Sequence, residues 1–204
     1  MVEDQIKKRG VEEKNVLKAM EEVPRHKFVA ADEIDQAYKD CPVSIGWGQN
    51  MYQPYIVARM TELLDLHGDE RVLEIGTGSG YHSAVLSRVA KKVYSIEIND
   101  QLARTARRTL ASLGYDNVEV RTGDGYLGWP EEAPFDAIIL TAAPPEVPKA
   151  LIDQLKVGGR MVVPVGGFLQ DLLEITKGAD GKISRRTIEP VRVTPMTGQA
   201  QRQR

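Results

Sequence analysis

Apolar positions along this chain change their period twice. Over residues 2–22 they recur at helical spacing, at Ile6, Val11, Val16, Leu17 and Met20. Gly10 predicts a break into two short helices, and Pro24 ends the run. Residues 25–53 then lose any period and carry Gly46 and Gly48 among Tyr38, Trp47 and Tyr52. An aperiodic stretch of that length inside a compact domain reads as a functional loop. Pro54 suits the first position of a helix through Leu66, with Ile56, Val57, Met60, Leu63 and Leu64 turned inward. Beyond it, short apolar runs and helical stretches alternate. Strands are predicted at 71–75, 92–97, 117–121, 135–140 and 160–165, and helices at 80–90, 100–113 and 145–155. Leu169 to Thr176 and Ile183 to Val193 flank Lys-Gly-Ala-Asp-Gly-Lys, which predicts an antiparallel hairpin turning near Asp180-Gly181.

Such alternation implies right-handed crossovers and an α/β fold with a doubly wound, mostly parallel sheet of seven strands. The chain reads as a single domain over 1–204. Residues 1–66 form an N-terminal helical and loop cap, 67–166 the α/β core, and 167–204 the C-terminal strands and tail.

Composition narrows this picture by exclusion. A length of 204 residues suits one filled α/β domain rather than two. A net charge of −2 argues against a general nucleic-acid binder. No apolar run is long enough for a membrane span, and the N-terminus lacks the apolar core of a signal peptide. The lone Cys41 forbids an internal disulfide and suits a reducing compartment. His26, His67 and His82 lie too far apart in sequence for a zinc pattern. The expectation is a cytoplasmic protein with no metal, membrane or nucleic-acid partner.

The chemistry concentrates where the first core strand meets its helix, at Val72-Leu-Glu-Ile-Gly-Thr-Gly-Ser-Gly80. Glycines at 76, 78 and 80 let the backbone approach a ligand closely. Dinucleotide sites space the third glycine one residue later and place pyrophosphate on the helix N-terminus. Here the third glycine comes early, and Glu74 would face a phosphate unfavourably. A carboxylate facing a cation makes sense, and S-adenosylmethionine carries a sulfonium and an ammonium but no phosphate. Glu97 ends the second strand, where an acid accepts hydrogen bonds from ribose hydroxyls. Asp124 and Gly125 follow the third strand and suit an adenine edge, and Thr141 ends the fourth at the same edge of the sheet. The expected cofactor-binding set is Glu74, Gly76, Thr77, Gly78, Ser79, Glu97, Asp124, Gly125 and Thr141.

An ordered set of blocks extends beyond that turn. Pro24-Arg-His-Lys-Phe-Val29, Ile45-Gly-Trp-Gly-Gln49, Gln53-Pro-Tyr-Ile-Val-Ala58, Leu73 to Tyr81, Gly123-Asp-Gly125, Phe135 to Ala143, Gln154 to Gly159 and Val163-Pro-Val-Gly166 occur in sequence. Over nearly its whole length the chain resembles the protein-L-isoaspartate O-methyltransferases, a family of class I, Rossmann-like methyltransferases. The glycine turn marks the class, and the blocks at 45–58 and 135–143 mark the family. The resemblance implies methyl transfer from S-adenosylmethionine to the free α-carboxylate of isoaspartyl residues in damaged proteins, releasing S-adenosylhomocysteine. It further implies a monomer, Ile45, Gly46, Trp47, Gln49 and Asn50 against substrate, and Thr197, in Pro195-Met-Thr-Gly198, near the cofactor.

The chain departs from the family at the substrate loop. The usual Gly-Gln-Thr-Ile-Ser reads Gly48-Gln-Asn-Met-Tyr52, so Tyr52 stands where the active-site serine is expected. The phenol offers a hydroxyl on a longer, rigid stem, which makes Tyr52 the candidate catalytic residue. The altered loop also admits methylation of another carboxylate or a small molecule, or cofactor binding with weakened transfer. Among other residues, His82 reads as a partly exposed first-turn histidine, and His26 as loop packing. Trp47 reads equally as a groove wall or a loop anchor, and Asp136 as structural or near the cofactor. The basic tail Arg202-Gln-Arg204 reads as a solvated end.

Overall fold

The computed structural model describes residues 1–201; the basic tail lies outside the described residues. A seven-stranded sheet runs in the order β5-β4-β3-β6-β7-β8-β9. Its strands are β3 (Arg71–Ile75), β4 (Lys92–Glu97), β5 (Val118–Thr122), β6 (Phe135–Leu140), β7 (Leu155–Gly166), β8 (Gln170–Lys177) and β9 (Ile183–Val191). Pairing is parallel from β5 through β7 and antiparallel for β8 and β9, so the predicted C-terminal hairpin closes one edge. From β3 the chain winds outward to β5 and then returns to β6 on the other side of β3. That reversal opens a crevice at the carboxyl ends of β3 and β6, the position where doubly wound sheets bind ligands.

Alternate residues of the central strand feed two cores. Val72 packs with Val93, Ile139 and Val162 on one face, and Leu73 packs with Ile96, Ile138 and Met161 on the other. The first core also takes Val2, Ile6 and Val11, with Val16 and Met20 of α1 (Lys14–Glu22). It continues through Val57 and Met60 of α2 (Pro54–Leu63) and Tyr81 and Val85 of α3 (Tyr81–Ser87). The N-terminal cap is therefore built into the main core. Helix α4 (Asp100–Ser112) is capped by Asn99, whose Oδ1 accepts from the amides of Gln101 at 2.9 Å and Leu102 at 3.2 Å.

Several expected boundaries move for local reasons. Pro145 and Pro148 delay the last helix, α5, to Lys149–Gln154. Strand β7 begins at Leu155 rather than 160, because an irregularity lets it pair first at Phe135↔Leu155 and again at Ala137↔Arg160. The aperiodic stretch contains 3₁₀ turns at Arg25–Phe28 and Ala31–Gln36, then a hairpin of β1 (Val43–Gly46) and β2 (Gln49–Met51). Trp47 and Gly48 form its turn with φ of 52° and 71°, the positive pair that a tight hairpin turn needs.

Candidate active site

A cleft of about 380 Å³ opens at the crevice between β3 and β6. It brings together most of the residues singled out in the sequence. Gly76, Thr77, Gly78 and Ser79 form one wall, and Glu97, Asp124 and Gly125 lie at one end. Thr141 sits on the floor, Thr197 comes from the C-terminal segment, and Ile45, Gln49, Asn50 and Tyr52 come from the hairpin.

The floor is fixed by main-chain geometry. Gly76 has φ of 102°, and a Cβ built there would strike Thr141 Oγ1. Thr141 Oγ1 donates to the Gly76 carbonyl at 2.5 Å, and the Thr141 amide donates to the Ile75 carbonyl at 2.9 Å. A Cβ at Gly125 would collide with Ile75. These two glycines are dictated by close approach.

Both acids are oriented by amides. Glu97 accepts from Gly78 N at 2.8 Å through one oxygen and from Asn99 N at 2.9 Å through the other. Asp124 accepts from Tyr126 N at 2.9 Å and Gln199 N at 2.8 Å. Each carboxylate oxygen retains a lone pair for a ligand hydroxyl or amine. Among the described residues lining the cleft there is no lysine or arginine. Such a set suits a cationic, hydroxyl-bearing nucleoside and offers a pyrophosphate no cationic side chain.

Four expectations change. Glu74 does not line the cleft. It is fully buried beneath the glycine turn, where Oε2 accepts from Ser83 Oγ and, at 2.6 Å, from Ser95 Oγ. Burial pushes its pKa up to about 7 against the pull of those hydroxyls. Its role is to brace the turn: Thr77 Oγ1 lies 2.6 Å from the same Ser95 hydroxyl. Gly46 and Trp47 also stand off the cleft, because the tight turn carries them outward and leaves the indole 56% exposed. His82, read as partly exposed, is buried and lines the cleft, with Nε2 2.9 Å from Thr61 Oγ1.

Tyr52 departs furthest from expectation. Its hydroxyl donates to the Thr141 carbonyl across the cleft, and burial raises the phenol well above its ordinary range. The single phenolic proton is therefore engaged, and the ring serves as a wall rather than as a free donor. Asp136 is settled as structural, accepting from Arg71 N and pairing with Lys156 far from the cleft.

Sequence reasoning missed Met51, Val57, Tyr81 and the segment Thr194 to Met196, all of which line the cleft. The last reaches it because Ala143 N donates to Thr194 O at 2.9 Å and Met196 N to Ala143 O at 2.7 Å. No local pattern signals that return.

The model of the family described as protein-L-isoaspartate(D-aspartate) O-methyltransferase matches residues 1–201. The chain belongs to this family. A protein-L-isoaspartate O-methyltransferase of Synechococcus sp. (strain JA-2-3B'a(2-13)) is 54% identical over 204 residues, covering 96% of this chain and 83% of that protein. One from Syntrophus aciditrophicus (strain SB) is 56% identical over 178 residues, covering 87% and 82%. Among solved structures, a protein-L-isoaspartate O-methyltransferase superposes with a TM-score of 0.87 at 32% identity, over 98% of this chain and 67% of that one. A Plasmodium falciparum structure described as a protein-L-isoaspartate O-methyltransferase with S-adenosyl-L-homocysteine gives 0.79 at 25% identity, over 94% of both. The family's methyl donor, S-adenosylmethionine, fits the phosphate-hostile cleft just described.

Proposed function

We propose that the cleft methylates the free α-carboxylate of L-isoaspartyl residues in damaged proteins and peptides, with S-adenosylmethionine as donor. The observation that carries this reading is a single cleft with two chemically different ends. The glycine turn, Glu97 and Asp124 make one end, and the hairpin residues Gln49, Asn50 and Tyr52 make the other.

S-adenosylmethionine supplies an electrophilic methyl on a sulfonium. Glu97 would take the ribose hydroxyls, Asp124 and Gly125 would lie at the adenine edge, and Thr77, Ser79 and Thr197 would close the walls. At the other end the substrate carboxylate is already ionised at neutral pH, so no general base is needed. What the protein supplies is alignment and exclusion of water. The side-chain amides of Gln49 and Asn50 would donate to the carboxylate. Tyr52, tied to Thr141, would hold the loop at a fixed height above the cofactor floor and so act as a positioning residue. A cytoplasmic, monomeric enzyme belongs to the same reading.

The test is incubation with labelled S-adenosylmethionine and two peptides that differ only in an aspartyl or isoaspartyl linkage. Label in the isoaspartyl peptide alone is the expected result. Equal labelling of both, or none of either while S-adenosylhomocysteine binds, would overturn it.

A further inference from the structure

The side chain that fits the fold least comfortably is Arg25, in the Pro24-Arg-His-Lys-Phe block. Its relative exposure is 0%, yet among the described residues it meets no carboxylate. Nε donates to the Ala37 carbonyl at 2.6 Å, Nη2 donates to the Tyr52 carbonyl, and Nη1 finds no acceptor. The guanidinium carbon stands 4.7 Å from the centroid of the Tyr81 ring. The titratable groups that reach it are Tyr81, whose hydroxyl also interacts with the guanidinium, Cys41, Tyr38 and His82. Burying a cation without a counter-ion carries a large desolvation cost.

The field of this cation falls on the cleft. Tyr52 and Tyr81, the two residues against which the guanidinium rests, both line it. His82, the next residue, lines it too, and its pKa is pushed down to about 3 by burial and then by the Arg25 charge. Glu97 and Asp124 sit at the opposite, nucleoside end. The cleft is therefore bipolar, negative where a sulfonium nucleoside binds and positive behind the substrate loop.

We propose that Arg25 is a positioning residue whose uncompensated charge, acting through the wall formed by Tyr52 and Tyr81, selects an ionised carboxylate at the substrate end of the cleft. The proposal rests on the isoaspartyl reading above and adds a consequence to it. Methylation converts the substrate's anion into a neutral ester, so the same charge that favours the substrate does nothing for the product. Arg25 thus separates substrate from product. Because the carboxylate loses charge on the way to the ester, a fixed cation stabilises the bound ground state more than the transition state. Its removal should act on KM and leave kcat unchanged or slightly raised.

The decisive measurement is a ratio. A peptide bearing the isoaspartyl α-carboxylate and its α-carboxamide counterpart are titrated onto the protein saturated with S-adenosylhomocysteine. The native protein should bind the carboxylate at least about tenfold more tightly, the worth of one charge seen through a partly polarisable wall. In Arg25→Gln that preference should collapse, and in Arg25→Lys it should largely return. A purely structural Arg25 would weaken both peptides alike and leave the ratio untouched, which overturns the proposal. If Arg25→Gln does not fold, the native ratio still decides: equal binding of the two peptides rejects a selecting charge. Failure of the isoaspartyl reading itself is distinct, because neither peptide would then bind and no isoaspartyl peptide would be methylated.

Discussion

The hydroxyl of Tyr52 and the main-chain carbonyl of Thr141 join the end of the β1–β2 hairpin to the floor of the cleft. These residues are 89 apart in sequence, and the bond spans the gap between cap and sheet. It makes the loop's height a property of the sheet rather than of the loop.

Removing only that hydroxyl, in Tyr52→Phe, keeps the wall and leaves the Thr141 carbonyl without its donor. The expected loss is about 1–2 kcal/mol of stability by urea unfolding. Peptide KM should rise while S-adenosylhomocysteine affinity stays near its native value. Tyr52→Ser restores a short hydroxyl but deletes the ring, and should lose more stability than Tyr52→Phe because a cavity is added to the lost bond.

Glu97 accepts from two amides of the cleft wall, those of Gly78 and Asn99. Its replacement by Ala should weaken S-adenosylhomocysteine binding by about tenfold to a hundredfold in calorimetry, the range for losing hydrogen bonds to a charged acceptor. Glu97→Gln retains one oxygen and should fall between the two. Unchanged affinity in Glu97→Ala would place the nucleoside elsewhere.

Glycines should divide by what surrounds them. Gly76→Ala meets the Thr141 hydroxyl at a φ of 102° and should lose about 1–3 kcal/mol together with cofactor affinity. Gly114→Ala, at a φ of 76° with nothing within 4 Å, should show only the conformational cost of about 1–2 kcal/mol and bind S-adenosylhomocysteine normally. Thermal unfolding with and without ligand separates the two.

Buried Glu74 should leave a mark on the pH dependence of stability. Its carboxyl titrates near the ordinary 4.5 in the unfolded chain and is pushed up to about 7 by burial in the folded one. Between those values the folded state holds the extra proton, so this group's contribution shrinks as pH rises through the window. Glu74→Gln resembles the protonated acid and should lack that decline, so its stability relative to the native protein should increase from about pH 5 to about pH 8. His82 acts in the opposite sense: its folded pKa is depressed to about 3, and its contribution is lost as pH falls below its ordinary value. Being common to both proteins, that contribution cancels in the comparison. Parallel stability curves would refute the assignment.

The parallel sheet was legible because β3, β4 and β6 are buried on both faces and leave continuous apolar runs bounded by glycine or acid. Gly76, Glu97 and Thr141 followed from strand ends, which a doubly wound fold converts directly into a cleft. Glu74 misled because period-two alternation fixes a side chain's face but not what covers that face, and Ser83 and Ser95 cover it here. His82 misled because α2 packs Thr61 against it, a contact between two helices that local periodicity does not show. Thr194 to Met196 reach the cleft through pairing with Ala143, a long-range contact that leaves no local pattern.

The return of residues 194–199 to Ala143 and Asp124 has a temporal consequence. A ribosome completes the central strands, the glycine turn and the substrate hairpin well before it emits the segment that finishes the cofactor wall. Folding from the N-terminus can proceed on the partial chain, since the cap and the first strands share a core. Translation therefore delivers every other lining residue, from Ile45 to Ala142, before this one segment, and the cleft is incomplete until it arrives.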